Sequence, residues 1–140
     1  MPFLACPICG RSFLLPCLQH NRDYVSGGIK SVTKQVKSKQ RVADHGEVFT
    51  AEREVKSMCD LVKAETERID SRFLEPACGD GNFLAEILSR KLAVVKKKYK
   101  KFPMDYEKNS VLDVSSLYGV DILQDNCEAC RERLYRMWDK

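Results

Sequence analysis

The stretch Phe73 to Leu84, FLEPACGDGNFL, constrains this chain more than any other. An apolar run passes through Glu75 and Pro76 into two glycines that flank Asp80, and an apolar helical pattern follows. A strand that ends in a glycine turn and feeds a helix is the joint of a parallel α/β unit. Ligands of open α/β sheets bind in the crevice at the carboxyl ends of the strands. Gly79 and Gly81 have no Cβ, so the turn can take positive φ and a ligand can approach the main chain. Two phosphate-binding patterns are excluded. The stretch is not G-x-x-x-x-G-K-[ST], and it lacks the third glycine of G-x-G-x-x-G. Glu75 and Asp80 would repel a pyrophosphate. They suit a ligand that carries a positive sulfonium and an amine.

The pattern around this joint reads helix, strand, helix, strand, helix. Val55, Met58, Cys59 and Val62 mark one apolar helix face. Thr50 is placed to N-cap that helix, with Glu52 and Glu54 in the first turn. Arg72–Pro76 reads as a strand, and Asn82 to about Val95 as a helix with Leu84, Ile87, Leu88, Leu92 and Val95 inward. Pro103, just after the lysine cluster, interrupts any helix there. Residues 117–122, LYGVDI, read as a second strand, and Asp125 to Met137 as a final helix. Asp121 falls at the carboxyl end of the second strand, where an acidic side chain can accept from both ribose hydroxyls. It comes about 40 residues after the glycine turn, against the usual spacing of about 20. The segment from Lys96 to Asp113 reads as an insertion that makes up the difference.

These three segments resemble the adenine-specific DNA methyltransferases of restriction-modification systems. FLEPACGDGNFL is similar to their adenosylmethionine-binding motif. DHGEVFTAEREVKSMCDLV resembles the upstream loop and helix that close over the methionine end of the cofactor. LYGVDILQDNCEACRERL resembles the ribose-binding strand and its following helix. The resemblance covers roughly residues 41 to 138. It implies a partial Rossmann-like fold, α/β, with S-adenosylmethionine as cofactor and DNA as partner. By position, Phe49 and Thr50 would contact the methionine moiety. Glu75, Pro76, Ala77, Cys78 and Gly79 would line the cofactor turn together with Asp80, and Gly81 and Asn82 would close it. Asp121 would hold the ribose and Ile122 would pack on the adenine. One departure is Ala51, where the family commonly has proline. A larger one is the missing Asn/Asp/Ser-Pro-Pro-Tyr/Phe motif, which in these enzymes holds the flipped adenine. The chain therefore reads as the cofactor half of such an enzyme, cut short and inactive alone. Two readings of the gap stay open: a companion chain that supplies the catalytic and target-recognition parts, or a degenerate remnant with neither activity. No catalytic residue is assigned.

The remaining sequence divides at residues 1–23, 24–46 and 47–140. The first zone holds Cys6, Cys9, Cys17 and His20 in a C-x2-C-x7-C-x2-H pattern. Four such ligands could make a tetrahedral zinc site, although the seven-residue spacer is tight. Two readings stay open: a zinc knuckle that binds nucleic acid without catalysis, or an extension with incidental cysteines. The second zone is polar and basic and reads as a flexible or weakly ordered lead-in, either solvated or touching DNA. The third is the methyltransferase-like domain. Cys127 and Cys130 repeat the C-x-x-C spacing on an apolar helix face, where core packing explains them. The lysines between Lys96 and Lys101 read as a solvated face or a phosphate-backbone contact. Net charge is +4, which permits an anionic partner without requiring one. No apolar run reaches the roughly 18 residues of a membrane span. The seven cysteines, an odd count without an export signal, suit a reduced, cytoplasmic protein.

Overall fold

Two short strands, β1 (Phe73–Glu75) and β2 (Leu117–Gly119), pair in parallel with Phe73 opposite Leu117 and Glu75 opposite Gly119. The computed structural model describes residues 35–139, which lie within one compact unit, residues 32–140. Six helices accompany the strands: α1 (Lys39–His45), α2 (Glu52–Leu61), α3 (Lys63–Thr66), α4 (Asn82–Tyr99), α5 (Pro103–Ser115) and α6 (Gln124–Trp138). None is long and apolar enough to cross a membrane. The expected alternation of helix and parallel strand is present. It is a mostly helical unit around a two-stranded sheet.

The core lies against one sheet face. Val55 and Cys59 of α2 pack on Ile87 of α4, with Phe73 and Leu117 of the strands against them. Beside this, Leu84 of α4, Cys130 of α6 and Cys78 of the glycine turn form a second cluster. The opposite face carries Leu74 and Tyr118, register partners that are 67% and 49% exposed. Parallel sheets normally have both faces covered, so this one is half-clad among the described residues.

Several local expectations need correction. Met58 and Val62, placed on the inner face of the helix after Thr50, are 53% and 49% exposed, because α2 buries a narrower stripe of Val55 and Cys59. The N-cap is Ala51, with no side-chain cap bond. Thr50 instead turns its carbonyl toward the Asn82 amide, which donates to it at 3.2 Å. Ala51 has φ −66°, the value proline is locked near, so the backbone here is one that proline could also take. Pro103 opens a helix rather than only ending one: α5 starts on it, and the supposed insertion is the end of α4 followed by α5.

The lead-in also holds more order than its composition suggests. Ser38 Oγ accepts the Arg41 N–H at 3.1 Å and caps α1. Gly46, at φ 65°, closes its far end: its N–H donates to the Val42 carbonyl and the Glu47 N–H to that of Arg41. A seven-residue helix is too short to persist on propensity. It is held from outside, by Arg41 and Lys37 reaching across to Glu47, Asp125 and Asn126.

Candidate functional site

Every backbone path that enters the carboxyl edge of the sheet converges on one cleft. β1 delivers Glu75 and the turn Pro76–Gly79, and the chain after β2 delivers Asp121 to Leu123. The loop between α1 and α2 covers them from one side with residues 45–50. The cleft has a volume of about 440 Å³, within the roughly 300–1,000 Å³ of small-molecule sites. Of the twelve residues expected to bind cofactor, ten line it: Phe49, Thr50, Glu75, Pro76, Ala77, Cys78, Gly79, Asn82, Asp121 and Ile122.

Gly79 explains how close the two walls come. It sits at φ 52°, and a Cβ there would lie 2.8 Å from the Phe49 ring. The aromatic side chain of the covering loop thus packs directly on the glycine turn. Lys37 lies 5.6 Å from the centroid of the same ring, close enough for a cation–π contact. Gly81, at φ 87°, leads α4 and faces away from the cleft. A Cβ on it would meet Cys130 Sγ at 2.6 Å. Its glycine is required by the packing of α4 on α6.

Asp80 also faces elsewhere. Its carboxylate lies 3.7 Å from Arg133 Nη1, and the same nitrogen donates to Asn82 Oδ1 at 2.7 Å. Asp80 and Gly81 are therefore the two expected site residues that do not line the cleft. They anchor the turn to α6.

Asp121 is held by three donors. The Gly79 N–H donates to Oδ2 at 2.9 Å. The Leu123 N–H and the Asn126 amide donate to Oδ1 at 2.8 and 3.2 Å. A carboxylate offers about four acceptor positions, so one remains, on Oδ2 beside the turn. That leaves capacity for one further hydrogen bond, where the sequence reading has Asp121 accepting from both hydroxyls of a ribose. Ile122 is 81% exposed and presents an apolar surface at the edge of the cleft.

Sequence reading assigned no role to Glu47 or Asn126, yet both are structural parts of the wall. Glu47 accepts two bonds from the Arg41 guanidinium, each at 2.7 Å. That pairing, despite burial, holds its carboxyl below the usual range. Arg41 also pairs with Asp125 at 2.7 Å and holds that carboxyl down at about 2. Glu47 was visible inside GEVFT. Its partners are not, since Arg41 meets Asp125 across 84 residues of sequence.

The electrostatics of the lining follow. Among the described residues no lysine or arginine lines the cleft, whereas Glu47, Glu75 and Asp121 do. Glu47 is neutralised by Arg41. Glu75 and Asp121 have no ion-pair partner among the described residues. Two uncompensated carboxylates beside a glycine turn disfavour phosphate and favour a cationic ligand. Burial pushes the Cys78 thiol up to about 12. It is a neutral packing group and no nucleophile.

A second polar cluster looks like chemistry and is not accessible to any. Lys91 Nζ donates to Ser116 Oγ at 2.5 Å and lies 3.9 Å from Asp113. Lys91 and Asp113 are 0% exposed, so no substrate reaches the pair. Cys6, Cys9, Cys17 and His20 lie outside the described residues, and no group of three metal-ligating side chains occurs among those described. No family model, curated protein or solved structure matches the chain.

Proposed function

We propose that this cleft binds S-adenosylmethionine, and that the chain is the cofactor-binding portion of a DNA adenine-N6 methyltransferase of the restriction-modification type. The observation that carries the reading is the convergence of three separate sequence segments on one cleft whose lining, among the described residues, has carboxylates and no lysine or arginine. The fit rests on the residues present. Gly79 lets the Phe49 ring pack on the turn where a Cβ would collide with it, which closes that wall of the cleft. Glu75 and Asp121 supply negative charge for a sulfonium and an ammonium group. Asp121 Oδ2 keeps one acceptor position for a ribose hydroxyl, and Ile122 offers an apolar plane for a base.

In this proposal the bound cofactor supplies an electrophilic methyl group on a sulfonium. The chain's own residues bind and orient it. Phe49 and Thr50 cover one end, the Glu75–Gly79 turn supports the middle, and Asp121 fixes the sugar. Extrusion and positioning of the target adenine fall to a companion chain or domain that carries the Asn/Asp-Pro-Pro-Tyr motif. DNA is the shared substrate. The proposal places the protein in a reducing cytoplasm.

Equilibrium calorimetry on the full chain tests the ligand class. Adenosylmethionine should bind saturably, and NAD, whose pyrophosphate meets the same carboxylates, should bind at least about tenfold more weakly, a difference of about 1.4 kcal/mol. Equal affinity for the two, or a preference for NAD, would overturn the reading.

A further inference from the structure

Asn126 sits at the N-terminal end of α6, 1% exposed, between four charged groups. Its Oδ1 accepts from Lys37 Nζ at 2.5 Å and from Arg41 Nη2 at 3.2 Å. Its Nδ2 donates to Glu47 Oε1 at 2.8 Å and to Asp121 Oδ1 at 3.2 Å. These four bonds use the whole capacity of a primary amide, two donors and two acceptors. They also fix which way the amide points. Rotated by half a turn, it would aim its oxygen at two carboxylates and its NH2 at two cations.

A buried amide so placed has one direction of influence toward the cleft. Asp121 Oδ1 is pulled toward α6 by Asn126 and by the Leu123 N–H. This turns Oδ2 toward the Gly79 N–H and leaves its one open acceptor position facing the turn. On the other side, α1 reaches the same amide twice, directly through Arg41 and indirectly through Glu47. The seat of α1 and the orientation of Asp121 therefore share a single side chain.

We propose that Asn126 is the positioning residue for Asp121, and that α1 sets the ligand-binding orientation of Asp121 through Arg41, Glu47 and Asn126. As a statement about ligand binding, this rests on the reading of Asp121 as the ribose acceptor. As a statement about orientation, it holds without a ligand. Loss of Asn126 frees Asp121 to rotate and loosens the bond from the Gly79 N–H. Loss of Arg41 does the same more weakly, because Leu123 and Asn126 still hold Oδ1.

Amide hydrogen exchange on the ligand-free full chain tests this, read by NMR at Gly79, Cys78 and Val120. Cys78 and Val120 donate to the backbone carbonyls of Val120 and Glu75, so they report the strands and turn without Asp121. In Asn126→Ala, Gly79 protection should fall about tenfold, the worth of one such bond, while Cys78 and Val120 keep theirs. Arg41→Met should give a smaller loss confined to the same amide. Unchanged protection at Gly79, or an equal fall at all three amides, would overturn the proposal. Adenosylmethionine titration of the same samples separates the two readings. Selective loss at Gly79 with no binding by the parent chain supports the positioning role and contradicts the cofactor reading. Binding by the parent with no selective loss contradicts the positioning role alone.

Discussion

The two ends of the same pair of strands carry opposite arrangements of titratable groups. At the carboxyl edge, Asp121 and Glu75 face an open cleft and are held by backbone N–H donors. At the amino edge, Lys91 is sealed among the carbonyls of Ile69 and Ser71 and the Ser116 hydroxyl, at 2.9, 2.8 and 2.5 Å. Beside it, both Asp113 oxygens are buried without a hydrogen-bond partner. The first arrangement leaves acceptor capacity for a ligand. The second spends its donors on tying the chain before β1 to the chain before β2. The contrast separates an open edge from a sealed, structural edge. Charge alone does not distinguish them; access and spare hydrogen-bond capacity do.

The largest expected effect comes from breaking the structural edge. Lys91→Ala strands three acceptors and leaves Asp113 without its partner, so it should cost about 3–5 kcal/mol in urea unfolding, the range for a broken buried pair. A loss under about 1 kcal/mol would mean that the cluster does not tie the strands. Gly79→Ala attacks the other edge. The left-handed backbone costs about 1–2 kcal/mol for alanine, and the new Cβ must displace Phe49. Adenosylmethionine affinity should fall more steeply than stability does. Equal affinity in this variant would show that Phe49 and the turn are not part of the ligand site.

The next effect is a pH dependence at the structural edge. Burial pushes the Asp113 carboxyl up to about 7, above the roughly 3.9 of an unfolded aspartate. Between about pH 4 and pH 7 the folded chain keeps a proton that the unfolded chain has released. Stability should therefore fall as pH rises through that window. Asp113→Asn should flatten this slope in thermal melts, and an unaltered slope would assign the pH dependence elsewhere. The smallest effect belongs to neither edge. Glu132 and Arg136 form an exposed i,i+4 pair on α6, and Glu132→Gln should shift stability by less than about 0.5 kcal/mol.

The placement of the open carboxyl edge was largely legible in the sequence, because its signal is local. A strand, a glycine turn and a helix occupy consecutive residues, and FLEPACGDGNFL contains all three. Asp121 was legible for the same reason, as an acidic residue just beyond a short strand. The exchange of roles between Asp80 and its neighbours was not. Adjacent residues in a turn point in different directions, and only the position of Arg133 on α6 shows where Asp80 goes. The structural edge was hidden differently. Lys91 occupies an inward position between Leu88 and Val95, where a lysine reads as a break in the apolar stripe. Its burial depends on acceptors 20 to 25 residues away in sequence. Likewise α1 lies in a segment whose composition suggests a solvated arm. Its order comes from ion pairs to residues more than 80 positions away, which no local pattern records.

The most direct test of the proposed site at the open edge is calorimetric titration of adenosylmethionine into the full chain and into Asp121→Ala, with a thermal melt of each. The account predicts saturable binding by the parent. In the variant it predicts a loss of about tenfold or more, since a hydrogen bond to a charged group contributes about 1.5–3 kcal/mol, while the melt stays cooperative. Equal affinity in the two folded proteins would contradict it and remove Asp121 from the site.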